Sequence, residues 1–183
     1  MGRIIAVANQ KGGVGKSTTA INLSACLAEK EKKVLAIDMD PQGNTTSGFG
    51  VDKNGIENTL YELLLGEAET KDTIVKDVVE NLDLIPSNIN LSGAEIELVG
   101  IDDKEFILKG ITDKLRRKYD YIILDCPPSL NMLTINALTA ATSVLVPIQC
   151  EYYALEGLSQ LIHTIDLVKE RLNKRLKMEG VVF

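Results

Sequence analysis

The chain is predicted to be α/β, a mostly parallel β-sheet flanked by helices on both faces in three layers. Three observations carry this prediction. Short β-rich apolar runs alternate with longer stretches of helical period, the pattern of parallel strands joined by crossover helices. The runs are mostly continuous rather than alternating, as strands covered on both faces require. The first run also passes through a glycine-rich loop directly into a helix.

Taken in order, strands are expected at Ile4–Asn9, Val34–Asp38, Leu82–Pro86, Tyr121–Asp125 and Val144–Ile148, and a sixth run begins at Gly180–Phe183. Lys16–Glu29 reads as the helix after the glycine loop. Thr59–Leu65 and Ser92–Val99 each open with the spacing of a capping box, Thr59 with Glu62 and Ser92 with Glu95. Further helices are expected at Lys104–Arg117, Asn131–Ala141 and Leu155–Leu176. The last of these carries Leu158, Leu161, Ile162, Ile165 and Val168 on one face.

At 183 residues the chain fits a single domain, 1–183, with room for a sizeable core. Its 45% hydrophobic and 25% charged residues exclude a disordered chain. A net charge of −6 gives no global attraction to nucleic acid, so any DNA binding must come from a local basic patch or an assembled oligomer. No apolar stretch reaches membrane-spanning length, and the run Ile4–Ala8 is too short for a signal peptide, so a cytoplasmic location without membrane attachment is expected. Cys26, Cys126 and Cys150 are odd in number and lack a C-x-x-C pair, which suggests neither a disulfide framework nor a zinc site.

The chemistry is concentrated in three segments. Lys11-Gly12-Gly13-Val14-Gly15-Lys16-Ser17-Thr18 sits between a strand and a helix, the context a phosphate-binding loop needs. Its glycines allow the backbone to aim successive N–H groups at a phosphate, and the helix N-terminus adds its positive dipole end. Lys16 is placed to reach β- and γ-phosphates, the Ser17 hydroxyl to ligate Mg²⁺, and Thr18 to meet the α-phosphate. Gln10 stands where the general pattern has its first glycine, and a second lysine, Lys11, stands at the loop entrance. The other two segments close strands: Asp38-Met39-Asp40-Pro41-Gln42-Gly43-Asn44, and Asp125-Cys126-Pro127-Pro128-Ser129. Carboxyl ends of strands are where open α/β sheets bind ligands, and an apolar run closed by an aspartate is the form of a Walker B segment.

With K-G-G-V-G-K-S-T, D-M-D-P-Q-G-N and D-C-P-P-S in this order, the chain resembles the ParA/Soj family of deviant Walker A P-loop NTPases, and Pro147 to Gly157 resembles a further family segment. The resemblance implies an ATPase with ATP and Mg²⁺ as ligands. Lys11 would be the signature lysine reaching a partner subunit's nucleotide, Lys16 the loop lysine, and Asp40 the residue positioning the attacking water. Asp125 would be the Walker B carboxylate, with Asp38 supporting the metal or its waters. It further implies a homodimer on ATP binding, non-specific DNA binding by that dimer, a ParB/Spo0J-like partner and association with the nucleoid. Family members continue past the position of Phe183, so the adenine pocket and much of the DNA-binding surface are expected outside this chain.

Other readings remain open at this point. A MinD-like positioning ATPase would need a C-terminal amphipathic helix. A metabolic relative such as dethiobiotin synthetase would pass the γ-phosphate to a small acid, and a nucleotide-dependent scaffold would release no phosphate. Cys126 invites comparison with the cluster-binding nitrogenase iron protein, without that protein's cysteine spacing. The basic run Lys169, Arg171, Lys174, Arg175 and Lys177 reads as a solvated face, with DNA contact as the alternative, and His163 is assigned no role.

Overall fold

The computed structural model describes residues 1–150 and 154–183, so Glu151, Tyr152 and Tyr153, part of the family-like segment from Pro147 to Gly157, lie outside the described residues. Among the described residues seven strands form one sheet in the order β3-β4-β2-β5-β1-β6-β7. They are β1 Arg3–Val7, β2 Val34–Asp38, β3 Val75–Val79, β4 Leu82–Ile85, β5 Tyr121–Asp125, β6 Ser143–Pro147 and β7 Lys177–Val182. All neighbours pair in parallel except β3, which runs antiparallel to β4. The helices are α1 Lys16–Glu29, α2 Asn44–Gly48, α3 Leu60–Leu65, α4 Thr70–Thr73, α5 Leu91–Glu97, α6 Ile107–Leu115, α7 Met132–Ala140 and α8 Ala154–Arg171.

Because successive side chains of a strand point to opposite faces, each continuous apolar run supplies two cores. Ile4, Ala6, Leu35, Ile37, Ile122, Leu124, Val144 and Val146 face one of them, where α3, α5, α6, α7 and α8 pack. Ile5, Val7, Val34, Ala36, Leu82, Leu84 and Ile123 face the other, covered by α1. Along α1 the buried residues are Lys16, Ala20, Ser24 and Ala28, a stripe of four-residue spacing in which only the first is long. Small residues there let the helix lie close to the sheet, and its first turn then sits just beyond the end of β1.

Several elements depart from the sequence expectation. Ser92 does not cap α5: the helix starts at Leu91 with Asn90 before it and no side-chain cap, because the Glu95 carboxylate accepts from Asn131 Nδ2 instead of turning back. The expected helix at Lys104–Arg117 begins as a 3-10 turn, Lys104–Phe106, before α6. The long final helix ends at Arg171, and β7 starts earlier than expected, at Lys177. Strand β3 carried no signal, being an irregular edge strand with Lys76 and Asp77 exposed and Asp77 at φ 51°.

The capping box at Thr59 does form. Tyr61 N donates to Thr59 Oγ1 at 3.3 Å, and Glu62 Oε2 accepts from Thr59 N at 2.7 Å. Thr59→Ala should therefore cost about 1 kcal/mol of stability, and Thr59→Ser far less, both measured by urea denaturation.

Candidate active site

The residues singled out in the sequence gather at the carboxyl ends of β1, β5 and β2, which are consecutive in the sheet. The loop leaving β1 is held on both sides. Asn9, 6% exposed, donates from Nδ2 to Pro147 O at 2.7 Å and accepts from Lys11 N at 3.0 Å. Gln149 Nε2 donates to Gly13 O at 3.0 Å. Gly13 and Gly15 have φ of 75° and 88°. A Cβ at either would meet nothing within 4 Å, so the left-handed backbone rather than crowding requires glycine there.

Gly15 precedes α1 without a side-chain cap, which leaves the N–H groups of the first turn, in the field of the helix dipole, to an anion. Gly12, Gly13 and Thr18 are exposed, Ser17 is half-buried and Val14 is buried. The Lys16 ammonium folds back over its own loop, with Nζ donating to Lys11 O at 3.0 Å. Burial lowers its pKa, against the opposing pull of Asp125 and Asp40. Lys11 lines a cleft of about 600 Å³ together with Asn9, Pro128, Ser129 and Gln160.

Asp38 and Asp125 stand opposite each other in the β2–β5 register. Burial, then the charge of Asp125, pushes the Asp38 carboxyl up to about 7, against hydrogen bonds from Thr46 and Asp40. Its oxygens are already engaged: Thr46 N and Thr46 Oγ1 each donate to Oδ2 at 2.7 Å, and Asp40 N donates to Oδ1 at 3.2 Å. Asp125 differs. Its Oδ2 accepts from Thr45 Oγ1 at 2.7 Å, while Oδ1 is buried without a hydrogen-bond partner. Burial raises its pKa, and the nearby Ser17 hydroxyl, like that of Thr45, favours the charged form. A buried carboxylate oxygen lacking a donor is costly unless a cation meets it. One such oxygen beside a hydroxyl at a helix N-terminus is a donor set that fits Mg²⁺ with several retained waters.

Asp40, 8% exposed, accepts from Gln42 N at 2.9 Å and so closes a turn onto its own loop. Gly43 follows at φ 62°, where a Cβ would lie 2.8 Å from Ser87 O, and α2 begins at once. Asn9, Thr45, Thr46 and Ser87 were missed in the sequence. The Thr45-Thr46 pair after a run of turn residues was a signal for a helix start, but nothing indicated its partners.

Other expectations resolve simply. Cys126 lies in the core, where burial raises its thiol pKa, and Cys26 and Cys150 are exposed. His163 is exposed on α8. Lys169, Lys174, Arg175 and Lys177 join Arg3 and Arg116 around a cleft of about 780 Å³ at the opposite edge of the sheet, where the strands begin. Among the described residues no helix is long and apolar enough to cross a membrane.

An uncapped helix N-terminus behind a double-lysine glycine loop, with aspartates closing β5 and β2 beside it, defines a P-loop ATPase of the deviant Walker A kind. Residues 2–178 match the family model described as an AAA domain. The sporulation initiation inhibitor protein Soj of Bacillus subtilis is 57% identical over 182 residues, spanning 100% of this chain and 72% of that protein. The chromosome partitioning protein ParA of Myxococcus xanthus is 56% identical, and this chain spans 64% of it. Among solved structures, a cobyrinic acid a,c-diamide synthase from Mycobacterium smegmatis, with bound ATP analog and magnesium, superimposes with TM-score 0.94 at 43% identity, covering 99% of this chain and 74% of that one. The chain belongs to the ParA/Soj family of P-loop ATPases.

Asp38 also gives a pH dependence. With a carboxyl near 3.8 when unfolded and about 7 when folded, the native state binds the extra proton in between, so stability from this group is full below pH 3.8 and lost as pH rises through 7. Without nucleotide or Mg²⁺, the urea midpoint should fall between about pH 5 and about pH 7.5 more steeply in the wild type than in Asp38→Asn. A constant offset between the two proteins would show that Asp38 does not titrate there.

Proposed function

We propose that this chain carries the nucleotide switch of a chromosome or plasmid partitioning ATPase. It binds Mg-ATP, closes into a homodimer, and hydrolyses ATP to ADP and phosphate in cycles with non-specific DNA and a ParB/Spo0J-like partner. The observation that carries the reading is the unpaired Oδ1 of Asp125, buried beside Ser17 and the uncapped start of α1. The kinship with Soj and ParA supports the partitioning role. Lys169, Lys174, Arg175 and Lys177 around the basic cleft, where Arg3 is instead paired with Glu179, support a DNA contact remote from the nucleotide, which would place the protein on the nucleoid.

In this reading the N–H groups of Gly12, Gly13, Val14 and Gly15 cradle the phosphates and Thr18 meets the α-phosphate. Lys16 leaves the Lys11 carbonyl to lie against the β- and γ-phosphates. Ser17 and Asp125 hold the metal, and Asp38 supports it from behind through the loop it anchors. When bound, Mg²⁺ neutralises charge developing on the β- and γ-oxygens. Asp40 accepts a hydrogen bond from the attacking water and aligns it with the γ-phosphorus, whose bond to the ADP oxygen breaks. Lys11, at the loop entrance, reaches the nucleotide of the second subunit. Two facing nucleotides bring several negative charges together, and a lysine from each side offsets their repulsion.

A second reading, an ATP-dependent synthase acting on a small acid, is favoured by the likeness to the synthase structure. The assay that separates them is phosphate release with and without DNA and a ParB-like N-terminal peptide. Stimulation by both is expected, and turnover that instead requires a small acid overturns the partitioning reading.

Asp40→Ala should keep ATP binding but stop turnover and accumulate an ATP-bound dimer, seen by sedimentation, because a water-orienting carboxylate acts in the transition state. Lys11→Ala should bind ATP as a monomer without closing. A heterodimer of Lys11→Ala with wild type should keep partial activity through one intact site, whereas one as inactive as the mutant homodimer would mean that Lys11 serves its own nucleotide.

A further inference from the structure

The turn that carries Asp40 is closed by a ring of hydrogen bonds through three separate parts of the chain. Asp40 N donates to Asp38 Oδ1 at 3.2 Å, and Asp38 Oδ2 accepts from Thr46 N and Thr46 Oγ1, each at 2.7 Å. Ser87 N donates to Thr46 Oγ1 at 2.9 Å, and Ser87 Oγ donates to Asp40 O at 2.8 Å, completing the circuit. Asp38, Thr46 and Ser87 are 0% exposed and Asp40 is 8% exposed, so water does not compete for these bonds. Asp38 ends β2, Thr46 lies in α2, and Ser87 stands two residues beyond β4.

Two hydroxyls hold the ring together, and neither belongs to the chemistry assigned above. Without Thr46 Oγ1, the Ser87 N–H loses its acceptor and Asp38 loses one of its two Thr46 donors. Without Ser87 Oγ, the Asp40 carbonyl keeps only Gly43 N, at 2.9 Å, a bond from within its own turn. The preceding residue, Thr45, donates to Asp125 Oδ2 at 2.7 Å, so α2 is pinned to both strand-end carboxylates by consecutive side chains.

We infer that Thr46 and Ser87 are positioning residues for hydrolysis, fixing the Asp40 carboxylate against the attacking water through the Asp38–Thr46–Ser87–Asp40 ring. This rests on the role proposed for Asp40. The ring touches Asp40 through its backbone N–H and C=O, so losing a member tilts the whole turn. Displacement of a catalytic group by about 1 Å costs on the order of a hundredfold in rate. The loop of residues 12–18, which binds the phosphates in this reading, takes no part in the ring, so nucleotide affinity should be spared.

The test is steady-state ATP hydrolysis and ATP-analogue affinity, measured on the full chain with DNA and a ParB-like peptide, for Thr46→Val, Thr46→Ser, Ser87→Ala and Asp40→Ala. Thr46→Val and Ser87→Ala should lower kcat by about ten- to a hundredfold with affinity and KM within about threefold of wild type. Thr46→Ser, which keeps the hydroxyl, should recover most of the rate. A residue that only stabilises the fold would lower the urea midpoint without this split between kcat and affinity. Adding Thr46→Val to Asp40→Ala should reduce the residual rate no further, since both act through one group. Ser87→Ala removes only one bond and keeps the inference testable if Thr46→Val does not fold. Wild-type kcat in Thr46→Val and Ser87→Ala, with Asp40→Ala inactive, overturns the positioning role alone. An active Asp40→Ala overturns the role of Asp40, and this inference with it.

Discussion

Asp38 and Asp125 close adjacent parallel strands in register, 0% and 1% exposed, so the sheet sets two carboxylates side by side and away from water. At roughly 5 Å, about the spacing of neighbouring strands, two such charges repel by about 3 kcal/mol even at an effective dielectric constant of 20. Several neighbouring groups offset that repulsion, although the charge of Asp40 adds to it at Asp125. Thr45 and Thr46 donate to one carboxylate each, Asp40 N donates to Asp38, and the Lys16 ammonium lies within range of Asp125. Burial nonetheless prevails in both, which raises both carboxyls.

The two aspartates, alike in position, are unlike in use. Asp38 is saturated by donors from its own chain and so serves as an anchor for the turn of Asp40. Asp125 keeps one oxygen without a hydrogen-bond partner. The difference comes from α2: Thr46 gives two donors to Asp38, and Thr45 gives only one to Asp125. A short helix of five residues thus divides the labour of the strand-end carboxylates, and Gly43 permits it by adopting φ 62° where a side chain would strike Ser87 O.

Strand polarity also separates charge across the molecule. The carboxyl ends of the strands gather Asp38, Asp40 and Asp125 around a phosphate-binding loop, whereas the opposite edge gathers Arg3, Arg116, Lys169, Lys174, Arg175 and Lys177 around its own cleft. A chain of net charge −6 can therefore present a basic surface locally.

Much of this was legible in the sequence, where the information is local. Val34–Asp38 and Tyr121–Asp125 are strands with the expected bounds, because a fully buried parallel strand must be apolar throughout and each run is closed by its aspartate. Lys16–Glu29 follows from the glycine loop, and the Thr59 cap from a spacing of three residues. What failed depended on distant partners. Glu95 left its expected cap for Asn131, 36 residues away, and β3 is held by pairing with β4 although Lys76, Asp77 and Val79 of its five residues are exposed. The ring that fixes Asp40 joins Thr46 to Ser87 across 41 residues and Ser87 to Asp40 across 47. The sequence by itself therefore determined the loop, the strands and the identity of the carboxylates, since each depends on neighbours in the chain. Only the tertiary structure decided which carboxylate is an anchor and which keeps a free oxygen, because that depends on hydroxyls that folding brings together from a short helix and the segment after β4.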